Sequence, residues 1–399
     1  MTKTFSNLFI LDMANNHQGD LNHAKKIVSE FSKIINKESI NGVIKLQFRN
    51  LDTYIHKQFI NSNDKYVKRF SSTKLQNNEY AKLIKLMKSK RLKTMSTPFD
   101  EDSLQLIKDL EIDYIKIASA SSNDRSLIKE SEKLKKPIVI SVGGKSIEEI
   151  DWIVNYLEMK NSNFAIQHCI AIYPTEDSKL EINQIEFLKN RYPNIPIGFS
   201  THEDPNNLSA IQLATSKGAQ LFERHIGLNT SKYKLNNYSS TPLQIKHWIQ
   251  SFKKSKSMLG SSLRKPSSKK ETDTLLSLSR GVYAKNKIKK NEQLNQQNVY
   301  FAFPIIKNQI SSSEFTSSSL SSIKSLDKDK PIKISDIKTS LELDEENLIT
   351  NFMLQFKSMI KISNCAINDD AKMELSHHYG IRRFREFGCL IITCFNYSY

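Results

Sequence analysis

Short apolar runs alternate with longer amphipathic stretches along the first two thirds of the chain. Eight runs have strand length: Asn7–Met13, Gly42–Phe48, Leu92–Thr97, Asp113–Ser119, Pro137–Val142, Phe164–Ile170, Ile195–Ser200 and Ala219–Ile226. Near-continuous apolar runs of this kind suit strands buried on both faces. Between them lie helical patterns. Asp20–Ile35 places Leu21, Ala24, Ile27, Val28, Phe31 and Ile34 on one face. Leu75–Lys90, Glu101–Leu110, Asp124–Leu134, Ser146–Met159, Ile182–Asn190, Asn206–Lys217 and Ile245–Leu259 follow. Eight strand–helix units over roughly 260 residues predict a closed parallel (β/α)8 barrel. An open doubly wound sheet is the competing fold, but no GxGxxG turn accompanies the first unit.

The pattern changes after the barrel. Residues 261–279 are polar and Ser/Lys-rich and read as a linker. Residues 280–338 form a compact segment, and 339–399 an extension with a helical run at Glu346–Ile362 and an apolar run at Cys389–Phe395. The expected architecture is therefore a barrel (1–260), a linker, a small second domain and a short C-terminal extension.

Composition narrows the class. Of 399 residues 38% are hydrophobic, enough for a core in a chain this long. The net charge of +17 comes from lysines scattered along the chain, with no zinc-finger, RNP or basic-zipper pattern. This predicts a solvated basic surface that attracts anionic small molecules, not a nucleic-acid interface. The four cysteines, Cys169, Cys365, Cys389 and Cys394, form no CxxC pair, so neither a disulfide framework nor a thiolate metal site is expected. The start of the chain lacks a signal-peptide pattern, and no apolar stretch approaches a membrane span. A cytoplasmic protein is expected.

Active sites of such barrels lie at the carboxyl ends of the strands. Those ends carry Asp12, Lys45 and Gln47, Thr97 and Phe99, Lys116 and Ser119, Ser141, Tyr173, Ser200 with His202, and Glu223-Arg224-His225. Lys45 and Lys116 point to one end, where each needs a counter-charge: an anionic ligand or a local carboxylate. Either lysine could instead form a Schiff base. His202 and His225 end neighbouring strands, close enough for both imidazoles to reach one divalent ion with positions left for water and substrate.

The segments NNHQGDLNHAKKIV, KLQF, STPFDEDSL, YIKIASAS, KPIVISVGG, HCIAIYPT, GFSTHED and ERHIGL occur in the order seen in the sialic acid synthases, which the chain resembles over roughly residues 8–260. YAKNKIKKNEQLNQQNV and KPIKISDI resemble the antifreeze-like (SAF) domain that follows the barrel in that family. The resemblance implies condensation of phosphoenolpyruvate with an aldose. C3 of the enol attacks the aldehyde, water adds at C2, and phosphate leaves with C–O cleavage, giving a nonulosonic 2-keto acid. It implies phosphoenolpyruvate binding by Lys45, Thr97, Lys116, Ser119, Ser141 and Ser200. It assigns His202 and His225 to a divalent metal (Mn2+ or Mg2+), Asp12 to a general base or hydroxyl-positioning role, and Gln47, Phe99 and Tyr173 to the sugar. Glu223 and Arg224 are expected to support the site from behind. A domain-swapped homodimer follows from the same resemblance.

The chain departs from the family on the sugar side. Ser121 and Ala171 replace a glutamate and an asparagine, Leu235 or Asn236 an acidic residue, and Phe303 an arginine before Pro304. An acceptor other than N-acetylmannosamine is expected. The alternatives are an inactive relative that still binds phosphoenolpyruvate or carbohydrate, and a different barrel aldolase. The tail resembles the opening of a cupin-like extension, with His377 and His378 as candidate ligands.

Overall fold

The computed structural model describes residues 4–316 and 319–339. Apart from Thr339, the expected extension, with its helical and apolar runs, its three cysteines and His377-His378, lies outside the described residues. Two compact units divide the chain, the first ending at Leu263 and the second beginning at Arg264.

The first unit is the expected barrel. Strands β1 (Leu8–Asp12), β2 (Asn41–Phe48), β3 (Lys93–Pro98), β4 (Tyr114–Ile117), β5 (Ile138–Ser141), β6 (Phe164–Cys169), β7 (Ile197–Thr201) and β8 (Leu221–His225) pair in chain order, and β8 closes on β1. All pairings are parallel. The helices are α1 (Leu21–Glu38), α2 (Leu51–Tyr54), α3 (Lys65–Ser72), α4 (Asn77–Ser89), α5 (Glu101–Asp109), α6 (Arg125–Lys133), α7 (Ile147–Met159), α8 (Asn183–Arg191), α9 (Ser209–Ser216) and α10 (Pro242–Leu259). Short α2 and α3, inserted between β2 and α4, were not expected: they present no long apolar stripe, and α3 buries no residue. Helix starts follow capping chemistry. Asp20 accepts from the Asn22 and His23 amides, and Ser146 and Thr241 begin capping boxes with Glu149 and Gln244.

Side-chain parity divides the strands. Outward residues such as Phe9, Leu11, Ile44, Leu46, Ile115, Ile140 and Phe222 pack against the helices. Inward residues form a separate apolar plug at the amino end: Leu8, Ile10, Val43, Met95, Tyr114, Val139, Ala165 and Leu221. Two residues further along each strand the same inward parity becomes polar. Leu8 and Ile10 lead to Asp12, Val43 to Lys45, Met95 to Thr97, Tyr114 to Lys116, Val139 to Ser141, Ala165 to Gln167 and Leu221 to Glu223. One inward position is left to Gly198, where a Cβ would come 2.7 Å from the Leu221 carbonyl oxygen and 2.5 Å from its Cγ. The plug thus supports a polar floor.

The second unit has its own core of Val282, Ala284, Ile288, Leu294, Val299, Ile310, Phe315, Leu320, Leu326 and Ile332. It contains helix α11 (Lys269–Ser277), then β9 (Gly281–Ala284) paired antiparallel with β10 (Val299–Ala302), helix α12 (Ser312–Thr316), and β11 (Leu320–Ser322) paired with β12 (Ile337–Thr339). Helix α11 lies where a linker was expected. Its signal was Ser268, whose side chain accepts from the Glu271 amide.

Candidate active site

The register of the barrel sets the site. Asp12 lies level with Lys45 on β2 and with His225 on β8, and Ser200 lies level with Cys169 and Glu223. A cavity of about 820 Å³ opens above this floor at the carboxyl end of the strands.

The two lysines find protein carboxylates. Lys45 Nζ is 2.9 Å from Asp12 Oδ2 and 2.9 Å from Glu223 Oε1; Lys116 Nζ is 2.7 Å from Glu223 Oε2. All four side chains are buried, and their formal charges cancel. Burial alone would neutralise these groups, but the Coulomb interactions oppose it. Burial lowers the Lys45 pKa, yet Asp12 and Glu223 together hold it above the ordinary value. Burial and neighbouring Lys45 leave that of Lys116 below its ordinary value, with Glu223 opposing. Burial raises the Glu223 carboxyl, but the two ammonium groups pull it down to about 2. Lys116 also donates to Ser141 Oγ and Gln167 Oε1, both at 2.5 Å. With Glu223, these make three acceptors around the Lys116 ammonium, one for each of its protons.

Other expected residues surround this quartet. Thr97 Oγ1 accepts from Lys45 at 3.2 Å; it is fully buried and supports the lysine from outside the cavity lining. Ser119 Oγ accepts from the Gly143 amide at 3.0 Å. Ser119, Ser141 and Ser200 line the cavity with Lys116 and Lys145. Asp12 is fixed through Oδ1 by the Ala14 amide at 2.9 Å and through Oδ2 by Gln47 Nε2 at 3.2 Å. Phe99 lines the cavity, and Tyr173 is 52% exposed with its ring centre 4.2 Å from that of His202.

The His202 and His225 rings lie 5.3 Å apart. His202 Nδ1 meets the Ile170 carbonyl at 3.0 Å, which fixes Nδ1–H as donor and leaves the Nε2 lone pair unused. Burial, and then His225, pushes its pKa down to about 3, so the ring is neutral, the form a metal requires. His225 Nδ1 is buried without a hydrogen bond, although Asp12 Oδ2 lies 3.4 Å away. These donors fit a divalent ion. Among the described residues no cluster of three or more His, Cys, Asp or Glu side chains forms a cage, so an ion would take its other ligands from water and substrate.

Glu223, Gln167, Cys169, Arg49, Arg69, Lys145 and Tyr238 are cavity or floor residues that motif reading passed over or placed elsewhere. Glu223 is the central counter-charge rather than a support from behind. Inward parity would have found it with Gln167 and Cys169. Arg224, of the opposite parity, points away and pairs with Glu203 at 2.7 Å, both side chains fully buried. Leu235 packs against Gly227, and Asn236 donates to Asn16 at 3.3 Å.

A closed parallel barrel whose inner wall turns from apolar to ionic beneath an open cavity defines a barrel enzyme. The chain belongs to the NeuB family, whose model matches residues 35–264. It is 37% identical to the crystal structure of a spore coat polysaccharide biosynthesis protein E from Chromobacterium violaceum, with a TM-score of 0.79 and coverage of 83% of this chain and 99% of that one. It is 25% identical to the N,N'-diacetyllegionaminic acid synthase of Campylobacter jejuni, over 73% of this chain and 89% of the relative. It is 28% identical to the N-acetylneuraminate-9-phosphate synthase of Drosophila melanogaster, over 56% of this chain and 60% of the relative. Among the described residues, no helix is long and apolar enough to cross a membrane.

Proposed function

We propose that the protein condenses phosphoenolpyruvate with an aldose to give a nonulosonic 2-keto acid and inorganic phosphate. The observation that carries this reading is the Asp12–Lys45–Glu223–Lys116 array, set beneath serine hydroxyls and two imidazoles in a chain of the NeuB family. The relatives named as legionaminic acid and N-acetylneuraminate-9-phosphate synthases support it.

Phosphoenolpyruvate binds over Lys45 and Lys116, with Ser119, Ser141, Ser200 and the Gly143–Lys145 turn around its oxyanions. Thr97 holds Lys45 in position. The lysine–carboxylate array is held by its own ion pairs, so little reorganisation accompanies charge development. His202 and His225 would hold a divalent ion, which supplies Lewis-acid polarisation of the aldehyde. C3 of the enol then forms the new C–C bond. Water adds at C2, and phosphate leaves with its C–O bond. Asp12, fixed by Ala14, Gln47 and Lys45, takes or holds a proton at this centre. In the same reading the second unit is the antifreeze-like domain and the protein works as a domain-swapped homodimer in the cytoplasm.

The test is phosphate release from phosphoenolpyruvate with manganese and a panel of aldoses. Sugar-dependent release is expected, falling on the order of a hundredfold or more in His202→Ala. Release unaffected by that substitution and by chelation would remove the metal from the reading. No release with any aldose, despite phosphoenolpyruvate binding, would favour an inactive relative.

A further inference from the structure

The floor of the cavity is electrically balanced, but its β2 side is not. Arg49 lies just beyond β2, its guanidinium carbon 3.6 Å from the centre of the Phe99 ring and 4.1 Å from that of Phe70 on α3. One Nη donates to Gln47 Oε1 at 2.9 Å, while its Nε is buried without a hydrogen-bond partner. Arg69 and Lys65, both on α3, line the same cavity. Among the described residues no carboxylate stands at ion-pair distance from any of these three cations, in contrast to Lys45 and Lys116.

Two expected sugar-side residues, Gln47 and Phe99, are therefore engaged in holding a guanidinium. Both rings lie within cation–π distance of the guanidinium, Tyr54 hydrogen-bonds it, and a guanidinium edge matches a carboxylate or phosphate in a bidentate contact. A largely buried cation without a carboxylate is costly unless an anion completes it. The hydroxyl and turn groups of the phosphoenolpyruvate side, Ser119 and Gly143, follow β4 and β5, whereas Arg49 follows β2. Arg49 is also linked to the reacting centre: Gln47, which accepts from Arg49, donates to Asp12 at 3.2 Å.

We propose that the acceptor aldose is itself anionic, carrying a phosphate or carboxylate remote from its aldehyde, and that Arg49, with Arg69 and Lys65, binds that group. This rests on the condensation reading above. It makes the β2–α3 insertion the specificity element of the site.

The experiment compares formation of the 2-keto acid from phosphoenolpyruvate with N-acetylmannosamine, N-acetylmannosamine 6-phosphate and mannuronic acid. A charged sugar is expected to show a KM roughly tenfold or more below that of the neutral one, and the preferred charged sugar identifies phosphate or carboxylate as the group. Arg49→Met and Arg69→Gln are each expected to raise the KM for that charged sugar by roughly tenfold, with a smaller change for the neutral sugar. Arg49→Lys keeps the charge but not the fork, so only partial recovery is expected. Arg69 lies on a helix that buries no residue, so Arg69→Gln remains informative if Arg49→Met misfolds. Equal KM values for charged and neutral sugars, or equal losses in the variants, would overturn the proposal while leaving the condensation intact. Absence of keto acid from every sugar would instead count against the condensation. Calorimetry with N-acetylmannosamine 6-phosphate and with mannuronate then decides the anion site: Arg49-dependent binding of either sustains it, and binding of neither overturns it.

Discussion

Glu223 serves two ammonium groups at once, one through each carboxylate oxygen. Its loss is not equivalent for the two lysines. Lys45 keeps Asp12, whereas Lys116 keeps only the neutral acceptors Ser141 and Gln167. Removing one partner of a buried charge group costs about 3–5 kcal/mol because the other charge is left uncompensated. Glu223→Gln is therefore expected to lower unfolding stability by roughly 3 kcal/mol in urea melts. A change below about 0.5 kcal/mol would show that the ammonium groups do not depend on it. The candidate residues on strands were legible because a lysine or aspartate at the end of an apolar run is conspicuous. Arg49 and Arg69 were not, because their contacts come from an insertion of two short helices, four and eight residues long, too brief to stand out in the pattern.

At the scale of elements, the barrel depends on an inner wall in which each strand supplies a side chain of suitable size. On β7 that position is Gly198, and β8 fills the space with Leu221. In Gly198→Ala the methyl group would meet the Leu221 carbonyl, which cannot rotate away as a side-chain end can. The substitution is expected to cost about 1–3 kcal/mol, the usual range for overpacking. Thermal unfolding checks it, and an unchanged midpoint would mean that β7 and β8 are less tightly apposed than their register implies. All eight strands and eight principal helices were legible, since parallel strands buried on both faces and amphipathic helices leave different periodicities. Helices α2, α3, α11 and α12 were not: α2, α3 and α12 are short, and α11 buries no residue.

For the whole molecule, pH links these buried sites to stability. Burial holds His17 at about 4 and His202 at about 3, and lowers the pKa of His168. Each is depressed from about 6.5, so the unfolded chain binds more protons than the folded one as pH falls. Their contribution is complete above about pH 6.5 and is lost progressively on acidification toward 4 and below. For His17 alone the limit is roughly 3 kcal/mol. Urea-unfolding free energy is expected to decline from pH 6.5 to 4.5, and His17→Gln should make the decline shallower. An identical slope in the variant would show that His17 titrates normally in the fold.

The sequence by itself determined the closed barrel, its strand order, and the polar residue types at the carboxyl ends of the strands. These are local properties: periodicity, capping and the absence of a dinucleotide turn are written in neighbouring residues. Tertiary structure decided which charges meet. Lys45 and Lys116, 71 positions apart, are balanced by Glu223 only because β8 closes on β1, and α3 places Phe70 and further cations, with no carboxylate at ion-pair distance among the described residues, on the side of the cavity that holds Arg49. A charge is defined by its residue, but its partner is defined by strand register and loop path, which no window of sequence contains.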